Sequence, residues 1–363
     1  MNDDIPRQFE DVAIFQEGMS DLTDSLIFAA TNVVLYAKNA GLVRRYWRRL
    51  GRLPDIANPR RYSERMLWRK TVDHNPQFII FSDKLATKEF IKRRCPDLPV
   101  AHVRWVGCNP DAIPDECLQG DVLVKANHGC DFNYRVRGGR WDRSVLREKG
   151  QRWLTSVYGK LTGEWGYSQV EPKLFVEEAV GDEDAGLIEF QVRASNGTAM
   201  LGSVMGHCKT PAQWFAYLDP DGNQTLGMND PDGSPIVPSP RALAAIEPYL
   251  RAVEYTRRLS VGVDYARFDF MWNGRDLFGG EITVYPAAGV MDPVNSQVQA
   301  ATLDGWDLLQ AHFLKTTHTG WAQRYAGALK RRLKSRHPQS APGNARCEFS
   351  RWSKSPTHWG KSK

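Results

Sequence analysis

Arg267-Phe268-Asp269-Phe270-Met271-Trp272, the turn Asn273-Gly274-Arg275-Asp276, and Leu277-Phe278-Gly279-Gly280-Glu281-Ile282-Thr283 together decide the fold of this chain. Apolar and polar residues alternate on both sides of Asn273-Gly274, a dipeptide suited to the left-handed backbone of a tight turn. The pattern predicts two antiparallel strands, residues 265–272 and 276–284. Alternation sets Arg267, Asp269 and Met271 on one face, and Glu281 and Thr283 on one face of the partner strand. Asp269 and Glu281 can then face each other. Two carboxylates side by side in a half-buried sheet repel, so a positive group belongs between them. Mg²⁺ is the natural choice, a hard ion that takes carboxylate and phosphate oxygens. Arg267 points toward the same place and can hold developing negative charge. The competing reading is a surface strand pair with salt-bridged charges.

The segments before this hairpin set its context. Residues 1–20 are polar and read as loose, and residues 21–52 as one helix that Asn58-Pro59 follows and breaks. Ser63 reads as the cap of a new helix. Short strands and helices then alternate: a strand at 78–81, a helix from the Asp83 cap to 94, and strands at 100–106 and 121–126. A polar turn at 127–133 containing Gly129, a strand at 134–136, a helix at 144–158 and a strand at 173–177 come next. Strands at 188–194, 199–207 and 214–218 read as antiparallel, before a helix at 240–259, the hairpin, and a helix at 306–333. This order predicts an α+β body rather than one doubly wound sheet. Asp-Pro-Asp-Gly occurs at 219–222 and 230–233; Gln224 and Asp230 stand where a calcium loop needs Gly and Glu, so both read as turns.

At 363 residues the chain has room for roughly two or three packed units. With 42% hydrophobic and 25% charged residues it has the composition of a globular protein, and no run of 18 apolar residues predicts a spanning helix. The start is acidic, unlike a secretory signal. The six cysteines form no Cys-x-x-Cys and read as reduced thiols of a cytoplasmic protein. Net charge is +6, unevenly spread: residues 38–70 and 330–363 each carry +9, leaving −12 elsewhere. Two basic segments suit a phosphate-bearing or polyanionic partner, including peripheral contact with an anionic membrane. The Ser- and Pro-containing end reads as a solvated, disordered tail. No helix-turn-helix, zinc finger or RNP-like string accompanies the charge, so no specific nucleic acid is expected.

Two lysine clusters point to phosphate. Asp83-Lys84-x-x-x-Lys88 opens a helix, and Val124-Lys125-Ala126-Asn127-His128-Gly129 ends a strand before a Gly-containing turn. The chain has no Walker A sequence, GxGxxG, HExxH or GxSxG, which removes the common nucleotide, zinc-protease and α/β-hydrolase readings.

In their order these clusters resemble the ATP-grasp superfamily: Asp-Lys-x-x-x-Lys, a strand Lys before a loop, a Glu-Glu hinge, Arg-x-Asp, then Glu-x-Thr. Within it the chain is similar to the TupA-like proteins, named for teichuronopeptide biosynthesis. The residues that carry this are Ser63-Glu64-Arg65-Met66-Leu67-Trp68, Ser82-Asp83-Lys84, Gly163-Glu164-Trp165-Gly166-Tyr167, Val176-Glu177-Glu178 and Phe278 to Gly289, across roughly residues 55–308. The resemblance implies an ATP-grasp fold of two α+β subdomains clasping ATP (55–320), a helical, partly basic segment before it (1–54), and a helix end with basic tail after it (321–363). It implies that Lys84 and Lys125 contact ATP phosphates and that the loop of Asn127, His128 and Gly129 closes over them. Glu177 and Glu178 would lie at the hinge beside adenine. Glu189, in a Glu-Phe-x-Val like that of D-alanine ligases, would bind ribose. Asp269 and Glu281 would hold magnesium, and Arg267 would stabilise the reacting acyl centre. Thr283 replaces the Asn that many ATP-grasp enzymes use as a further metal ligand.

The implied activity is ATP-dependent ligation of a carboxylate to an amine through an acyl phosphate, on a cell-surface polysaccharide or its precursor. His128 and His207 are available as acid or base but read as structural. Two other classes compete. Asp182-Glu183-Asp184 has the Asp-x-Asp form of a nucleotide-sugar metal site, a glycosyltransferase reading against which stands a solvated acidic turn. A non-catalytic nucleotide-binding module is the third, and the intact Arg267, Asp269 and Glu281 argue against it.

Overall fold

The computed structural model describes residues 5–181, 186–208, 210–223, 243–289, 291–292 and 296–336, with side chains from residue 21 onward except 296–299. The N-terminal third is helical: α1 (Ile5–Lys38), α2 (Ala40–Leu50), α3 (Tyr62–Thr71), α4 (Gln77–Ser82) and α5 (Lys84–Arg94). A first set of strands follows: β1 (Val103–Gly107), β2 (Val122–Ala126), β3 (Asn133–Val136), then α6 (Arg143–Thr155) and β4 (Leu174–Glu178). The second set is β5 (Ile188–Ser195), β6 (Thr198–Gly206) and β7 (Trp214–Leu218), then α7 (Ile246–Leu259), β8 (Ala266–Trp272) and β9 (Leu277–Thr283). The last helices are α8 (Ser296–Gly305), α9 (His312–Lys315) and α10 (Gly320–Arg336).

The strands make two antiparallel sheets, ordered β1-β4-β2-β3 and β7-β6-β5-β8-β9. This is the α+β architecture that the sequence predicts. The larger sheet is two-faced, as strand alternation dictates. Phe190, Val192, Val204, Phe268, Phe270 and Ile282 project from one face into a core shared with α4, α5 and α7. Glu189, Gln191, Arg193, Arg267 and Asp269 alternate onto the other face, partly exposed. The smaller sheet packs Val122, Val124, Val136 and Val176 with Leu146 of α6.

Several sequence expectations are corrected. Residues 78–81 lie in α4, not in a strand: a four-residue apolar run has no readable period, and the Asn75 side chain receives the Gln77 N–H at 2.9 Å to start the helix. The helix expected at 21–52 begins at Ile5 and divides at Asn39, where its two parts meet at 100°. Ser63 is inside α3; Glu64 instead receives the Arg60 and Arg61 N–H groups, both at 3.0 Å. The helix expected at 306–333 is interrupted, because Asp307 caps a short 3₁₀ turn and Gly320 adopts a left-handed φ of 60° before α10 begins. The turn expected at 219–222 is present, with Asp219 receiving the Asp221 and Asn223 N–H groups at 2.9 and 2.8 Å. The second such sequence, at 230–233, the acidic 182–184 and the tail from 337 lie outside the described residues. The cysteines at 95, 108, 117, 130 and 208 are free thiols.

A buried charge cluster ties α3 to the large sheet. The Arg69 guanidinium donates to Tyr265 O and Val284 O, each at 2.9 Å, and to Asp264 at 2.6 Å. Asp73, one turn on, receives the Phe313 N–H at 2.6 Å. Its other oxygen and one oxygen of Asp264 are buried without a partner. Burial, then the Asp264 charge, push the Asp73 carboxyl up from 3.8 to about 7, against the Phe313 N–H and Arg69. The folded state therefore keeps a proton that the unfolded chain releases, so this group's stabilisation is full below pH 3.8 and is lost as pH rises toward 7. Asp73→Asn should flatten that slope and raise the melting temperature at pH 8 by about 2–4 °C. Thermal melts from pH 4 to 8 that keep the wild-type slope in this variant would show that Asp73 titrates normally.

Candidate functional site

The site is built where the N-terminus of α5, the loop after β2 and the polar face of the large sheet meet. Asp83 caps α5 by receiving the Leu85 and Ala86 N–H groups at 2.9 and 3.3 Å, which sets Lys84 at the first helical position. The Lys84 backbone donates to Asn127 O at 2.7 Å, and its Nζ donates to Gly129 O at 2.6 Å. The same Nζ lies 3.1 Å from Glu281 on β9. One lysine thus joins a helix start, a loop and the far strand.

One turn along α5, Lys88 is buried, with its Nζ at 3.0 Å from Ala101 O and 2.8 Å from Glu177. Lys125 reaches the other oxygen of Glu177 at 2.6 Å. Burial pushes the Glu177 carboxyl up, but Lys125 and Lys88 more than offset it, and its pKa ends lowered. Burial likewise depresses Lys125, and Glu177 reverses this, leaving it raised. Lys88 stays lowered, because its burial outweighs Glu177. Glu178 is not part of this cluster. Alternation turns it to the other face of β4, where it pairs with Arg104 at 3.1 Å.

The loop after β2 is fixed by its own side chains. Asn127 is fully buried, receiving the Lys173 N–H at 2.7 Å and donating to Glu171 O at 3.0 Å. His128 is buried, with Nε2 3.1 Å from Ser156 O, and burial lowers its pKa. Gly129 has φ 84°, and a Cβ there would meet Phe132 at 2.9 Å and Tyr158 at 3.0 Å, so only glycine fits. The side chains of Asn127 and His128 therefore anchor the loop, and the Gly129 carbonyl faces Lys84. His207 follows β6 in a left-handed conformation, φ 52°.

The hairpin carries a β-bulge that the alternation alone did not reveal. Arg267 pairs with Thr283 and Phe268 with Ile282, but Phe270 pairs with Gly279, so Asp269 lies across from Gly280 and Glu281 together. A Cβ at Gly280 would sit 2.8 Å from Asp269 O, which explains the glycine. Arg267 grips Asp269 with two hydrogen bonds, 2.7 and 2.6 Å, and approaches Thr283 Oγ1 at 3.4 Å. Burial raises the Asp269 carboxyl, Arg267 pulls it down, and Glu281 adds to the rise; the net shift is upward. Desolvation raises Glu281, but Lys84 and then Lys125 bring it below its ordinary value. Across β8, Glu189, Gln191 and Arg193 of β5 stand opposite Met271, Asp269 and Arg267. Gln191 and Arg193 were not among the expected site residues. Their signal was present in the sequence, as polar residues every second position between Phe190, Val192 and Ala194.

Lys84, Lys88, Lys125 and Arg267 are thus interleaved with Glu177, Glu281 and Asp269. Among the described residues no three His, Cys, Asp or Glu side chains converge as a metal cage. Asp269 and Glu281 offer two hard oxygen donors, which suits Mg²⁺ shared with ligand phosphates, the ordinary habit of that ion. The cations now on these carboxylates are the groups that phosphate oxygens would attract.

No protein-family model matches this chain, and no curated protein sequence does. Among solved structures it is similar to D-alanine–D-alanine ligase from Bacillus anthracis complexed with ATP, at TM-score 0.36 and 11% identity over 72% of this chain and 68% of that one. It is also similar to the ATP-grasp ligase PsnB complexed with minimal precursor, at TM-score 0.34 and 11% identity over 74% and 68%. L-amino acid ligase from Bacillus licheniformis gives TM-score 0.36 and 13% identity over 74% and 51%.

Proposed function

We propose that this chain is an ATP-grasp ligase that joins a carboxylate to an amine and forms ADP and phosphate. The observation that carries the reading is Lys84, whose ammonium touches both the Gly129 carbonyl and Glu281, with Lys125 in reach of the same carboxylate's field. Such a cluster of exchangeable ion pairs is built to re-pair with a polyphosphate. Lys84 and Lys125 would turn to phosphate oxygens, and the loop residues Asn127, His128 and Gly129 would lie over them. Asp269 and Glu281 would hold Mg²⁺, which supplies neutralisation of charge on the transferred phosphoryl group. Glu177 would keep Lys125 and Lys88 in position, Glu178 would stand at the hinge, and Glu189 would take ribose hydroxyls.

In the reaction, a carboxylate oxygen attacks the γ-phosphorus and the bond to ADP breaks. The amine nitrogen then attacks the acyl carbon, gives up a proton, and phosphate leaves. Arg267 would stabilise the negative charge on the acyl oxygen. No protein nucleophile is needed, and positioning with charge neutralisation supplies the catalysis. The motifs shared with TupA-like proteins support a polysaccharide precursor as one substrate. The test is ADP release by the purified chain with Mg²⁺ and ATP across pools of amino acids, uronic acids and amino sugars. ADP that forms only when carboxylate and amine are both present is the expected result. ADP formed equally without an amine would sink the ligase reading.

A further inference from the structure

The N-terminal helices carry an exposed surface that the ligase reading leaves unused. α1 docks on α10 through Asp24, Phe28, Thr31 and Leu35, all buried. Asp24 pairs with Arg331 at 2.5 Å, Phe28 meets the Tyr325 ring edge-on at 6.4 Å, and Trp321 donates to Thr31 at 3.0 Å. At 100° per residue, Leu22, Leu26, Ala29, Val33 and Ala37 fall on the opposite side of the same helix. They are exposed, Leu26 at 64% and Val33 at 69%. No charged residue occurs between Asp24 and Lys38. A helix apolar on both its docked and its outward side is expected to be covered on both.

What flanks this face is basic. After the bend, α2 exposes Arg44, Arg45, Arg48 and Arg49 together with Trp47, 53% exposed. No acidic residue occurs between Asp24 and Asp55. A separate part of the chain adds to the surface: Lys160 and Leu161 line a cavity of about 460 Å³ with Lys38, Ala40 and Gly41 at the bend, and Leu161 is 86% exposed. Exposed Leu and Val, a rim Trp and one-signed arginines match the interface of a bilayer with anionic headgroups. A second copy is a poorer occupant, since it brings the same uncompensated arginines.

We propose that α1, α2 and the loop at 159–163 form a docking surface for an anionic lipid bilayer, on which the protein lies without spanning it. No single helix among the described residues is long and apolar enough to cross a membrane. The proposal does not depend on the ligase chemistry. Its test is co-flotation of the full chain with vesicles of phosphatidylcholine, with and without phosphatidylglycerol. Binding only to the anionic vesicles, weakened by added salt, is expected. Replacing Arg44, Arg45, Arg48 and Arg49 together by Gln should weaken it at least about 100-fold. Leu26→Asp with Val33→Asp should abolish it while the melting temperature is kept, because neither side chain is in the core. Equal binding to neutral vesicles, or no binding to either, would overturn the proposal. So would a concentration-dependent dimer in sedimentation that Leu26→Asp with Val33→Asp makes monomeric, since a second copy would then be the occupant.

Discussion

Glu281→Gln is expected to reduce ADP formation on the order of 10³-fold while leaving the fold intact, the loss of a few kcal/mol of charge stabilisation at the phosphoryl group. The side chain is half-exposed and packs into no core, so little stability rests on it. The substitution is nearly isosteric and removes one charge. Lys84 keeps its hydrogen bond to Gly129 O at 2.6 Å, so the loop stays attached to α5. What is lost is the carboxylate that shares the cleft with Asp269, and with it half of the proposed hard-oxygen donor pair. ATP binding measured without Mg²⁺ should change little, whereas the concentration of Mg²⁺ needed for half-maximal turnover should rise. Turnover and Mg²⁺ dependence equal to wild type would remove Glu281 from the mechanism.

The parts of this site that were legible in the sequence are those fixed by local chemistry. An aspartate before a helix caps it, so Lys84 was assignable to a helix start. Asn273-Gly274 between alternating runs specifies a hairpin, so Arg267, Asp269, Glu281 and Thr283 were assignable to adjacent strands. What was not legible depends on partners distant in sequence. The bulge at Gly280 is a property of the register between two strands, and neither strand encodes it alone. Glu177 and Glu178 look equivalent as a dipeptide. Only the pairing of β4 between β1 and β2 turns one toward two lysines and the other toward Arg104. The run 78–81 has β-like composition, yet its context after Asn75-Pro76 makes a helix. Arg69 lies among charged residues that periodicity assigns to a solvated face, yet it is fully buried.

Arg69→Met is expected to destabilise the protein by about 3–5 kcal/mol, because it leaves a buried carboxylate without its counter-charge. The guanidinium is enclosed by the rings of Trp306, Phe78 and Tyr265, 4.5, 4.9 and 5.5 Å from its carbon, and three of its hydrogen bonds are spent on Asp264, Tyr265 O and Val284 O. Methionine can fill the volume between the rings but satisfies none of these acceptors. Lysine is expected to fail almost as badly, since one ammonium cannot present a planar fork to two carbonyls and a carboxylate. Adding Asp264→Asn to Arg69→Met should recover part of the loss, which separates the cost of the stranded charge from that of the carbonyls. Urea unfolding would measure this as a fall in midpoint at unchanged slope. A midpoint within about 0.5 kcal/mol of wild type would mean that water reaches the cluster and replaces the guanidinium. The position of the contacts gives the result a second consequence. Tyr265 immediately precedes β8 and Val284 immediately follows β9, so Arg69 holds together the ends of the two strands that carry Arg267, Asp269 and Glu281. The charge that stabilises the core also fixes the register on which the bulge, and hence the spacing of the two carboxylates, depends. Arg69→Met should therefore lower turnover more than its folded fraction accounts for, although Arg69 itself lies buried in the core beneath the strand ends.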